Sequence, residues 1–440
     1  MSAPRLTVIG TGYLGATHAV CMAELGFEVL GIDVDQVKID RLSAGEAPFY
    51  EPGVDELLRK NLATGRLRFT TSIEAVAAFG DVHFLCLGTP QKPGEYAADL
   101  RYIHESLDRL LPLLNRPCTV VGKSTVPVGT AARVAERIAS EAPAGHDIEL
   151  VWNPEFLREG FAVKDTLRPD RLVIGITSEA GEKVMREVYA PVIDAGTPVV
   201  VTDLPTAELV KVAANAFLAT KISFINAMAE VCEAAHADVT KLSEALAHDP
   251  RIGGRFLHAG LGFGGGCLPK DIRAFMARAG ELGVDQALSF LTEVDAINLR
   301  RRARMVELAR ELLGDSVVNR RVGVLGAAFK PESDDIRDSP ALDVASRLKR
   351  MGAHVRVYDP AAMDNARTLY PDLEYCASAV EASRAADVVL HLTEWREFRE
   401  MDPEVLSGVV AQRSIVDGRN ALDPGRWRAA GWTYRALGRP

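Results

Sequence analysis

The chain has 440 residues, enough for two or three domains, and its 48% apolar and 25% charged residues are typical of a soluble globular protein. The formal net charge of -9 argues against nucleic-acid or membrane-surface binding, although it allows a local basic pocket for an anion. We find no signal-peptide pattern and no apolar run long enough to span a bilayer. Six scattered cysteines without CxxC spacing indicate reduced thiols in the cytoplasm, and the histidine spacing predicts no metal site.

The first part of the chain alternates apolar strands with helical stretches, which predicts a mostly parallel sheet with right-handed crossovers. The predicted strands are Leu6–Ile9, Glu28–Ile32, Arg68–Thr70, Val82–Leu87, Cys118–Val121 and Ile148–Trp152. Five of them end in polar or glycine-rich groups, namely Gly10-Thr11-Gly12, Asp33, Gly88-Thr89-Pro90, Lys123-Ser124-Thr125 and Asn153-Pro154-Glu155. Because ligands of such sheets bind beyond the carboxyl ends of the strands, we expect these groups to face one crevice.

The last part of the chain repeats this pattern more weakly, from about residue 318 onward. Its predicted strands with their ends are Val322–Gly326, Val355–Asp359, Val388–Thr393 and Ser414–Arg419. Two long helical runs, about Ala207–Ala235 and Leu288–Leu313, lie between the two parts. We therefore predict an α/β protein with two doubly wound Rossmann-like domains (1–205 and 316–440) joined by a central helical domain (206–315). Helical connectors of this kind often pair subunits, so we expect a dimer or higher oligomer.

The run Gly10-Thr11-Gly12-Tyr13-Leu14-Gly15 matches G-x-G-x-x-G between a strand and a helix, the context that a dinucleotide-binding turn needs. Asp33 ends the second strand, where a carboxylate binds the ribose hydroxyls and repels a 2'-phosphate, so the pattern favours NAD over NADP. The alternative is a tight turn followed by a helix-capping Asp. The corresponding turn of the last domain, Gly326-Ala327-Ala328-Phe329-Lys330, lacks the later glycines and predicts a ligand other than a dinucleotide.

Cys267 follows the glycine-rich run Gly262-Phe263-Gly264-Gly265-Gly266 and precedes Leu268-Pro269-Lys270-Asp271, which predicts the start of a helix. A thiol at a helix N-terminus beside a lysine ionises more easily than an ordinary thiol. A hydride-accepting cofactor together with such a thiol suggests covalent oxidation of an aldehyde. The alternative is a buried cysteine after a glycine hinge.

An ordered set of motifs covers essentially the whole chain. Besides the two runs above, it contains Tyr50-Glu51-Pro52-Gly53, Gly88-Thr89-Pro90, Ser124-Thr125-Val126-Pro127, Asn153-Pro154-Glu155-Phe156-Leu157-Arg158-Glu159-Gly160, Glu208-Leu209-Val210-Lys211, Ala214-Asn215-Ala216-Phe217, Phe329-Lys330 and Asp417-Gly418-Arg419. This set strongly resembles the UDP-glucose/GDP-mannose dehydrogenase family. The resemblance implies that two NAD oxidise a sugar 6-hydroxyl to a carboxylate through an aldehyde and a cysteine thioester. Arg251-Ile252-Gly253 and Arg255-Phe256-Leu257 favour UDP-glucose, while UDP-N-acetylhexosamines and GDP-mannose stay open.

Lys211 and Asn215 are four residues apart on a predicted helix, so they share a face and together can stabilise an alkoxide or a tetrahedral oxyanion. The alternative is a solvated Lys and Asn. By resemblance Asp271 acts as a base, directly or through water, and Glu155 delivers water to the thioester, with Thr125 in the same catalytic set. Asp271 could instead be a first-turn carboxylate that favours the helix dipole, and Glu155 could form a structural salt bridge.

The resemblance also implies the binding residues. Those expected to contact NAD are Gly10, Gly12, Tyr13, Leu14, Gly15, Asp33, Lys38, Thr89, Ser124, Thr125 and Glu159. Those expected to contact the UDP-sugar are Glu155, Phe156, Leu157, Lys211, Asn215, Arg251, Phe256, Phe263, Gly264, Phe329, Lys330 and Arg419. Arg251 is expected to reach the site of a neighbouring subunit, although each of these cations alone could be a solvated surface residue.

Two other functions compete with this prediction. A two-electron 3-hydroxyacid dehydrogenase also combines a Rossmann domain with helices and a Lys/Asn pair, but it needs neither Cys267 nor a second nucleotide-type domain. A non-catalytic NAD-binding regulator would not need Lys211, Asn215 and Cys267, and all three are present.

Overall fold

The computed structural model describes residues 3–439, which form two compact units. The first unit contains the residues up to 214 together with 273–282, and the second contains residues 215–272 with those from 283 onward. The divisions after residues 214 and 272 fall inside helices, and the one after residue 282 follows the end of a helix at Glu281. The three predicted domain ranges stay a prediction.

An eight-stranded sheet forms the centre of the first unit. Its strands are β1 (Leu6–Ile9), β2 (Val29–Ile32), β3 (Leu67–Thr70), β4 (Val82–Leu85), β5 (Cys118–Gly122), β6 (Ile148–Trp152), β7 (Leu172–Ile176) and β8 (Val199–Thr202). They lie in the order β3-β2-β1-β4-β5-β6-β7-β8, and every neighbouring pair is parallel except β6 and β7. The six predicted strands are all present, whereas β7 and β8 were not predicted.

Helices cover both faces of this sheet. They are α1 (Tyr13–Glu24), α2 (Gln36–Ser43), α3 (Val54–Ala63), α4 (Ile73–Phe79), α5 (Arg101–Leu110), α6 (Thr130–Glu141), α7 (Ala162–Leu167), α8 (Glu179–Val188), α9 (Ala190–Asp194) and the start of α10 (Leu204–Ala235). Side chains alternate between the faces, so Leu6 and Val8 pack into one apolar core and Ile9 into another. Ile9 pairs with both Ile32 and Leu85, which brings Gly10, Asp33 and Cys86 to one edge of the sheet.

The second unit contains a six-stranded parallel sheet in the order β11-β10-β9-β12-β13-β14. The strands are β9 (Arg321–Leu325), β10 (His354–Tyr358), β11 (Glu374–Tyr375), β12 (Val388–His391), β13 (Ser414–Asp417) and β14 (Thr433–Ala436). The remaining helices are α11 (Val239–Ala247), α12 (Leu268–Glu281), α13 (Phe290–Leu312), α14 (Pro340–Arg350), α15 (Met363–Leu369), α16 (Ala379–Ser383), α17 (Arg396–Glu400), α18 (Pro403–Ser407) and α19 (Pro424–Ala429). The predicted α/β fold, with two doubly wound sheets and long helices between them in the chain, is confirmed.

Helix α10 needs one correction to the sequence analysis. Over the described residues it is the one helix long and apolar enough to cross a membrane by length and composition, contrary to our expectation. Its first turn packs into the core of the first unit through Leu204 and Ala207. Further along, Ile225, Ala229 and Cys232 belong to an apolar core of the second unit. Core helices of globular proteins have the same composition, and these buried contacts are those of a core helix.

Candidate active site

The glycine-rich turn after β1 leaves room for a ligand at one position and none at the others. A Cβ atom on Gly10, whose φ is +88°, would lie 2.9 Å from the Leu87 side chain and 3.0 Å from the Cys86 carbonyl oxygen. Gly15 packs directly against the Gly10 carbonyl, whereas nothing lies within 4 Å of a Cβ on Gly12. Glycine at 10 and 15 is required by packing, and the open space at Gly12 fits the diphosphate of a dinucleotide.

Asp33 stands at the end of β2, beside this turn. Its Oδ2 accepts hydrogen bonds from the Thr11 backbone N–H (3.0 Å) and from Lys38 Nζ (2.8 Å). Although burial opposes ionisation, these bonds hold the pKa of Asp33 below its ordinary value, so the group is a carboxylate at neutral pH. The exposed side chains of Val34 and Val37, which were not among the predicted residues, add an apolar surface next to it. This combination suits an adenosine ribose and its base.

The corresponding aspartate of the second unit has a different environment. Asp359, which follows β10, is buried, and its Oδ2 accepts hydrogen bonds from Ala327 N (2.7 Å), Ala328 N (3.0 Å) and Trp395 Nε1 (3.0 Å). Its Oδ1 accepts from Ala361 N over 2.9 Å. Both oxygens of this carboxylate are thus bonded within the protein, and the expectation that this turn takes a ligand other than a dinucleotide stays a prediction.

The ends of β4, β5 and β6 are joined by side chains. Thr89 Oγ1 donates to the Thr125 carbonyl (2.7 Å), and Ser124 Oγ donates to the Leu87 carbonyl (2.7 Å). Lys123, a buried residue of the predicted group after β5, connects the next pair of strands, because its Nζ donates to Asn153 Oδ1 over 3.0 Å. Hydrogen bonds therefore join three of the five predicted strand-end groups, those that contain Thr89, Ser124 and Asn153.

An open cleft with a volume of about 50 Å³ lies against the ends of β5 and β6. Its lining includes Leu14 from the glycine-rich turn and the run Glu155-Phe156-Leu157. Glu155 Oε1 forms an ion pair with Lys211 Nζ at 2.9 Å, and Glu155 Oε2 accepts from the Leu157 backbone N–H at 2.8 Å. Lys211 is 5% exposed, so it is a buried cation and not a solvated surface lysine. The salt bridge considered for Glu155 exists, and its partner is a predicted catalytic residue.

Glu51 connects the glycine-rich turn to the loop that contains Glu159. The hydroxyl of Tyr13 donates to Glu51 Oε2, which also accepts from the Gly160 N–H at 2.6 Å, while Glu51 Oε1 accepts from Ala162 N at 2.8 Å. Burial, together with the bond to this carboxylate, raises the pKa of Tyr13 far above its ordinary value. Glu51 belongs to one of the family motifs but had no predicted role, because its partner Gly160 lies 109 residues away in the chain.

The predicted nucleophile is accessible. Cys267 is exposed at the N-terminus of α12, and the other five cysteines are buried. Its carbonyl accepts from the Asp271 N–H at 3.0 Å, the first bond of the helix. Asp271 is 2% exposed and accepts from Asn215 Nδ2 at 2.6 Å and from Lys270 Nζ. The structure therefore brings together Cys267, Asp271 and Asn215, and it places Asn215 in the interior.

Arg419, predicted to contact the substrate, is held by backbone carbonyls. Its guanidinium donates to the carbonyls of Leu392 (2.7 Å), Gly262 (2.9 Å) and Phe329 (3.0 Å). Burial lowers the pKa of Arg419. The residue thus joins the glycine-rich run before Cys267 to the ends of β9 and β12, which makes it a structural support of this region as well as a candidate contact.

Three further residues predicted to contact the substrate differ in their surroundings, namely Lys330, Phe256 and Arg251. Lys330 Nζ lies 5.5 Å from the centroid of the Phe329 ring. Phe256 has a φ of +65°, a left-handed conformation that is uncommon for an aromatic residue and is found at constrained sites. Arg251 has a side chain that is 88% exposed and pairs with Asp249 at 2.6 Å.

One protein family matches this chain in three successive parts, from residue 4 to residue 424. The UDP-glucose/GDP-mannose dehydrogenase family matches in three parts: its NAD binding domain at residues 4–193, its central domain at 205–300 and its UDP binding domain at 323–424. The chain belongs to the UDP-glucose/GDP-mannose dehydrogenase family. Membership confirms the predicted class of enzyme, an NAD-dependent oxidoreductase, and its cofactor.

Similar proteins of this family extend over nearly the whole chain. A UDP-glucose 6-dehydrogenase of Rhizobium meliloti (strain 1021) is 41% identical and covers 99% of this chain and 100% of its own. The structure of a UDP-glucose dehydrogenase from Pyrobaculum islandicum matches with a TM-score of 0.91 and 38% identity, covering 100% of this chain and 98% of its own. That of a UDP-D-ManNAc dehydrogenase from Pyrococcus horikoshii matches with a TM-score of 0.86 and 27% identity, covering 99% of each chain.

Proposed function

We propose that this protein oxidises the 6-hydroxyl of UDP-glucose to a carboxylate, producing UDP-glucuronate and reducing two NAD for each sugar. The observation that carries the proposal is the exposed thiol of Cys267 at a helix N-terminus, above the buried Asp271 that accepts from Asn215. A two-electron alcohol dehydrogenase needs only hydride transfer and a proton acceptor, so it has no use for a nucleophile here. A four-electron oxidation needs one, because hydride leaves an aldehyde only from a tetrahedral adduct.

Cys267 supplies this adduct. Its sulfur adds to the aldehyde carbon to give a thiohemiacetal, and oxidation of that adduct leaves the sulfur bonded to an acyl carbon as a thioester. Water then adds to the thioester carbonyl, the C–S bond breaks, and the thiol and the carboxylic acid are released. The helix N-terminus at Leu268 favours the thiolate that attacks and that later leaves.

Five polar side chains serve the acid–base and oxyanion steps. Lys211 and Asn215 lie one helical turn apart on α10, where an ammonium and an amide stabilise negative charge on the substrate oxygen. Asp271 accepts protons near the thiol, directly or through water. Glu155, ion-paired with Lys211, orients the water that hydrolyses the thioester, and Thr125 belongs to the same set by resemblance.

NAD, when bound, supplies the hydride acceptor for both oxidations. The open space at Gly12 and the carboxylate of Asp33 fit its diphosphate and its adenosine ribose. Thr89, Ser124 and Thr125, at the hydrogen-bonded ends of neighbouring strands, contact the remainder of the NAD molecule in this proposal. Tyr13 and Lys38 support this site through Glu51 and Asp33.

We assign the UDP-sugar to Phe256, Phe263, Gly264, Phe329, Lys330 and Arg419 in the second unit, with Arg251 contributed by a neighbouring subunit. The exposure of the Arg251 side chain, which is 88% accessible, supports a role outside its own subunit. The family's UDP binding domain, residues 323–424, contains Phe329, Lys330 and Arg419. A diphosphate needs cations of this kind.

A second copy of the chain is the proposed partner, in a dimer or a higher oligomer. Phe217, Phe224 and Val231 recur every seven residues on α10 and are 67%, 48% and 58% exposed. A stripe at this spacing runs along one side of a helix and suits packing against an identical helix. We further place the protein in the cytoplasm, where UDP-sugars are made and reduced thiols persist.

The yield of NADH for each sugar tests the proposal. Limiting amounts of UDP-glucose, UDP-N-acetylglucosamine, UDP-N-acetylmannosamine and GDP-mannose are each incubated to completion with excess NAD. We expect about two NADH for each UDP-glucose and little turnover of the others. One NADH for each sugar would indicate a two-electron enzyme, and preferential turnover of another nucleotide sugar would overturn the assignment of the substrate.

A further inference from the structure

Asn298, on α13, holds both polar groups of the Phe263 backbone. Its Oδ1 accepts from the Phe263 N–H at 2.7 Å, and its Nδ2 donates to the Phe263 carbonyl at 2.9 Å. The Asn298 side chain is fully buried, so water cannot replace either bond. The N–H and the carbonyl of Phe263 belong to two successive peptide units, so an amide that pairs with both fixes the position and the rotation of the chain on each side of this residue.

Further contacts hold the residues between Phe263 and the thiol. Arg302, one turn after Asn298, donates from Nη2 to the Phe263 carbonyl at 3.2 Å. The N–H of Gly265 donates to the Arg337 carbonyl (2.8 Å), and the N–H of Gly266 donates to Asp335 Oδ2 (3.2 Å). The segment that leads to Cys267 is therefore held peptide by peptide.

This segment cannot order itself. Gly264, Gly265 and Gly266 have no side chains to pack, and glycine loses more conformational freedom on folding than any other residue. The position of the Cys267 sulfur consequently depends on the partners of this backbone. Since a displacement of about 1 Å can lower a rate about 100-fold, these partners matter for the chemistry.

We propose that Asn298 is a positioning residue for Cys267. By fixing the backbone N–H and carbonyl of Phe263, it determines the position of the Cys267 thiol. The inference deepens the proposed function, because it assumes that this thiol performs the chemistry. It predicts that loss of the Asn298 amide, which bonds to the backbone of a residue four positions before the thiol, alters the reactivity of Cys267.

The chain contains a matched control for a purely structural role. Asn226, on α10, is also fully buried, and its Oδ1 accepts from the Gly260 N–H at 2.9 Å. Its target therefore lies in the same loop but further from Cys267. Asn226→Leu and Asn298→Leu both remove a buried amide from a loop contact, so a general loss of stability should affect both variants alike.

The experiment measures the thiol directly and independently of the substrate. Native enzyme, Asn298→Leu, Asn298→Asp and Asn226→Leu are alkylated with iodoacetamide from about pH 5 to 9, and modification of Cys267 is followed by peptide mass spectrometry, since thiolate formation controls the rate. The other cysteines are buried and serve as internal markers of unfolding. Melting temperature, kcat and the KM for UDP-glucose are measured on the same samples.

We expect Asn298→Leu to shift the pH profile of alkylation and to lower kcat by about tenfold to 100-fold, with a much smaller change in KM. Asn298→Asp keeps the acceptor for the Phe263 N–H and should lie between this variant and the native enzyme. Asn226→Leu should lose thermal stability but keep the native alkylation profile and kcat. If Asn298→Leu does not fold, the Asn298→Asp variant decides by the same two measurements.

Equal behaviour of the two Leu variants, or a native alkylation profile in the Asn298 variants, would overturn the proposal. Its failure is distinguishable from failure of the proposed function. A Cys267→Ala enzyme that still makes acid would refute the role of the thiol, whereas the alkylation profile would continue to report whether Asn298 sets its presentation.

Discussion

Asn215 Nδ2 donates to Asp271 Oδ2 over 2.6 Å, and both side chains are buried. The bond joins α10 to the first turn of α12, four residues after Cys267. A carboxylate that only favoured the helix dipole would need no such partner, and a solvated asparagine would not be buried. The pair therefore ties an oxyanion-binding candidate to the candidate base.

The first prediction concerns this pair. Asn215→Ala and Asp271→Ala should each lower kcat by about 100-fold to 1,000-fold, as removal of an oxyanion-hole donor does. Because the two side chains act together, the double variant should be little worse than either single one. Steady-state kinetics with UDP-glucose measures this, and multiplicative losses in the double variant would show that the residues act independently.

The second prediction concerns the covalent step. Cys267→Ala should abolish acid formation without unfolding the chain, because the residue is exposed and a methyl group is smaller than a thiol. Cys267→Ser should be almost as damaging, since a hydroxyl is a weak nucleophile at neutral pH and a poorer leaving group. The measurement is NADH for each UDP-glucose, with Cys118→Ala, a buried thiol, as the control. UDP-glucuronate made by Cys267→Ala at a near-native rate would remove the covalent mechanism.

The third prediction concerns the choice of cofactor. The Asp33 carboxylate should make NAD strongly preferred over NADP. Asp33→Ser should weaken the binding of NAD and leave the Lys38 ammonium available to the 2'-phosphate of NADP. Each 1.4 kcal/mol of altered interaction changes the affinity about tenfold. The readout is kcat/KM with both cofactors. Asp40→Asn, the same change of charge at an exposed position of α2, should leave the preference unchanged. Native enzyme that uses both cofactors equally well would contradict the assignment.

The fourth prediction tests whether Arg251 acts in a neighbouring subunit. Arg251→Ala and Lys211→Ala should each be poorly active alone, but subunit exchange should regain activity, because some sites in the hybrids receive both native residues. A mixture of Lys211→Ala and Asn215→Ala is the control, since these residues lie on one helix of one chain and no hybrid site would be intact. Activity equal to that of the diluted parents would place Arg251 in its own subunit.

The fifth prediction concerns acid stability. Burial, with a smaller contribution from Arg116, lowers the pKa of His83 to about 4 from 6.5. The unfolded chain therefore takes up a proton below pH 6.5 that the folded chain takes up only near pH 4. The contribution of neutral His83 to the free energy of unfolding is fully present above pH 6.5 and is lost as the pH falls through about 4. The loss is about 3 kcal/mol at most, since each pKa unit corresponds to about 1.4 kcal/mol.

His83→Gln removes this titration and keeps a polar partner for the Thr7 hydroxyl, which lies 2.7 Å from His83 Nδ1. We expect its urea unfolding midpoint to fall less than that of the native protein between about pH 7 and pH 4. His146→Gln, at an exposed position, should follow the native protein. Parallel curves for native protein and His83→Gln would contradict the prediction.

Several parts of the fold and site could be predicted from short stretches of sequence. The glycine-rich turn, Asp33 and the helix after Cys267 were predicted because strand and helix periodicity and the steric limits on non-glycine residues are local properties. Strands β7 and β8 were missed because apolar runs of four or five residues do not distinguish a strand from a buried helical segment.

The amino-acid sequence by itself determined the family and the class of reaction, and it predicted the residues that carry the chemistry. Only the tertiary structure decided which buried side chains hydrogen-bond to the backbone around these residues. Glu51 meets Gly160 across 109 residues of chain, and Asn298 meets Phe263 across 35. No local pattern encodes such pairs, because a buried carboxylate or amide becomes the partner of whichever backbone groups the packing of whole helices and strands brings within hydrogen-bonding distance.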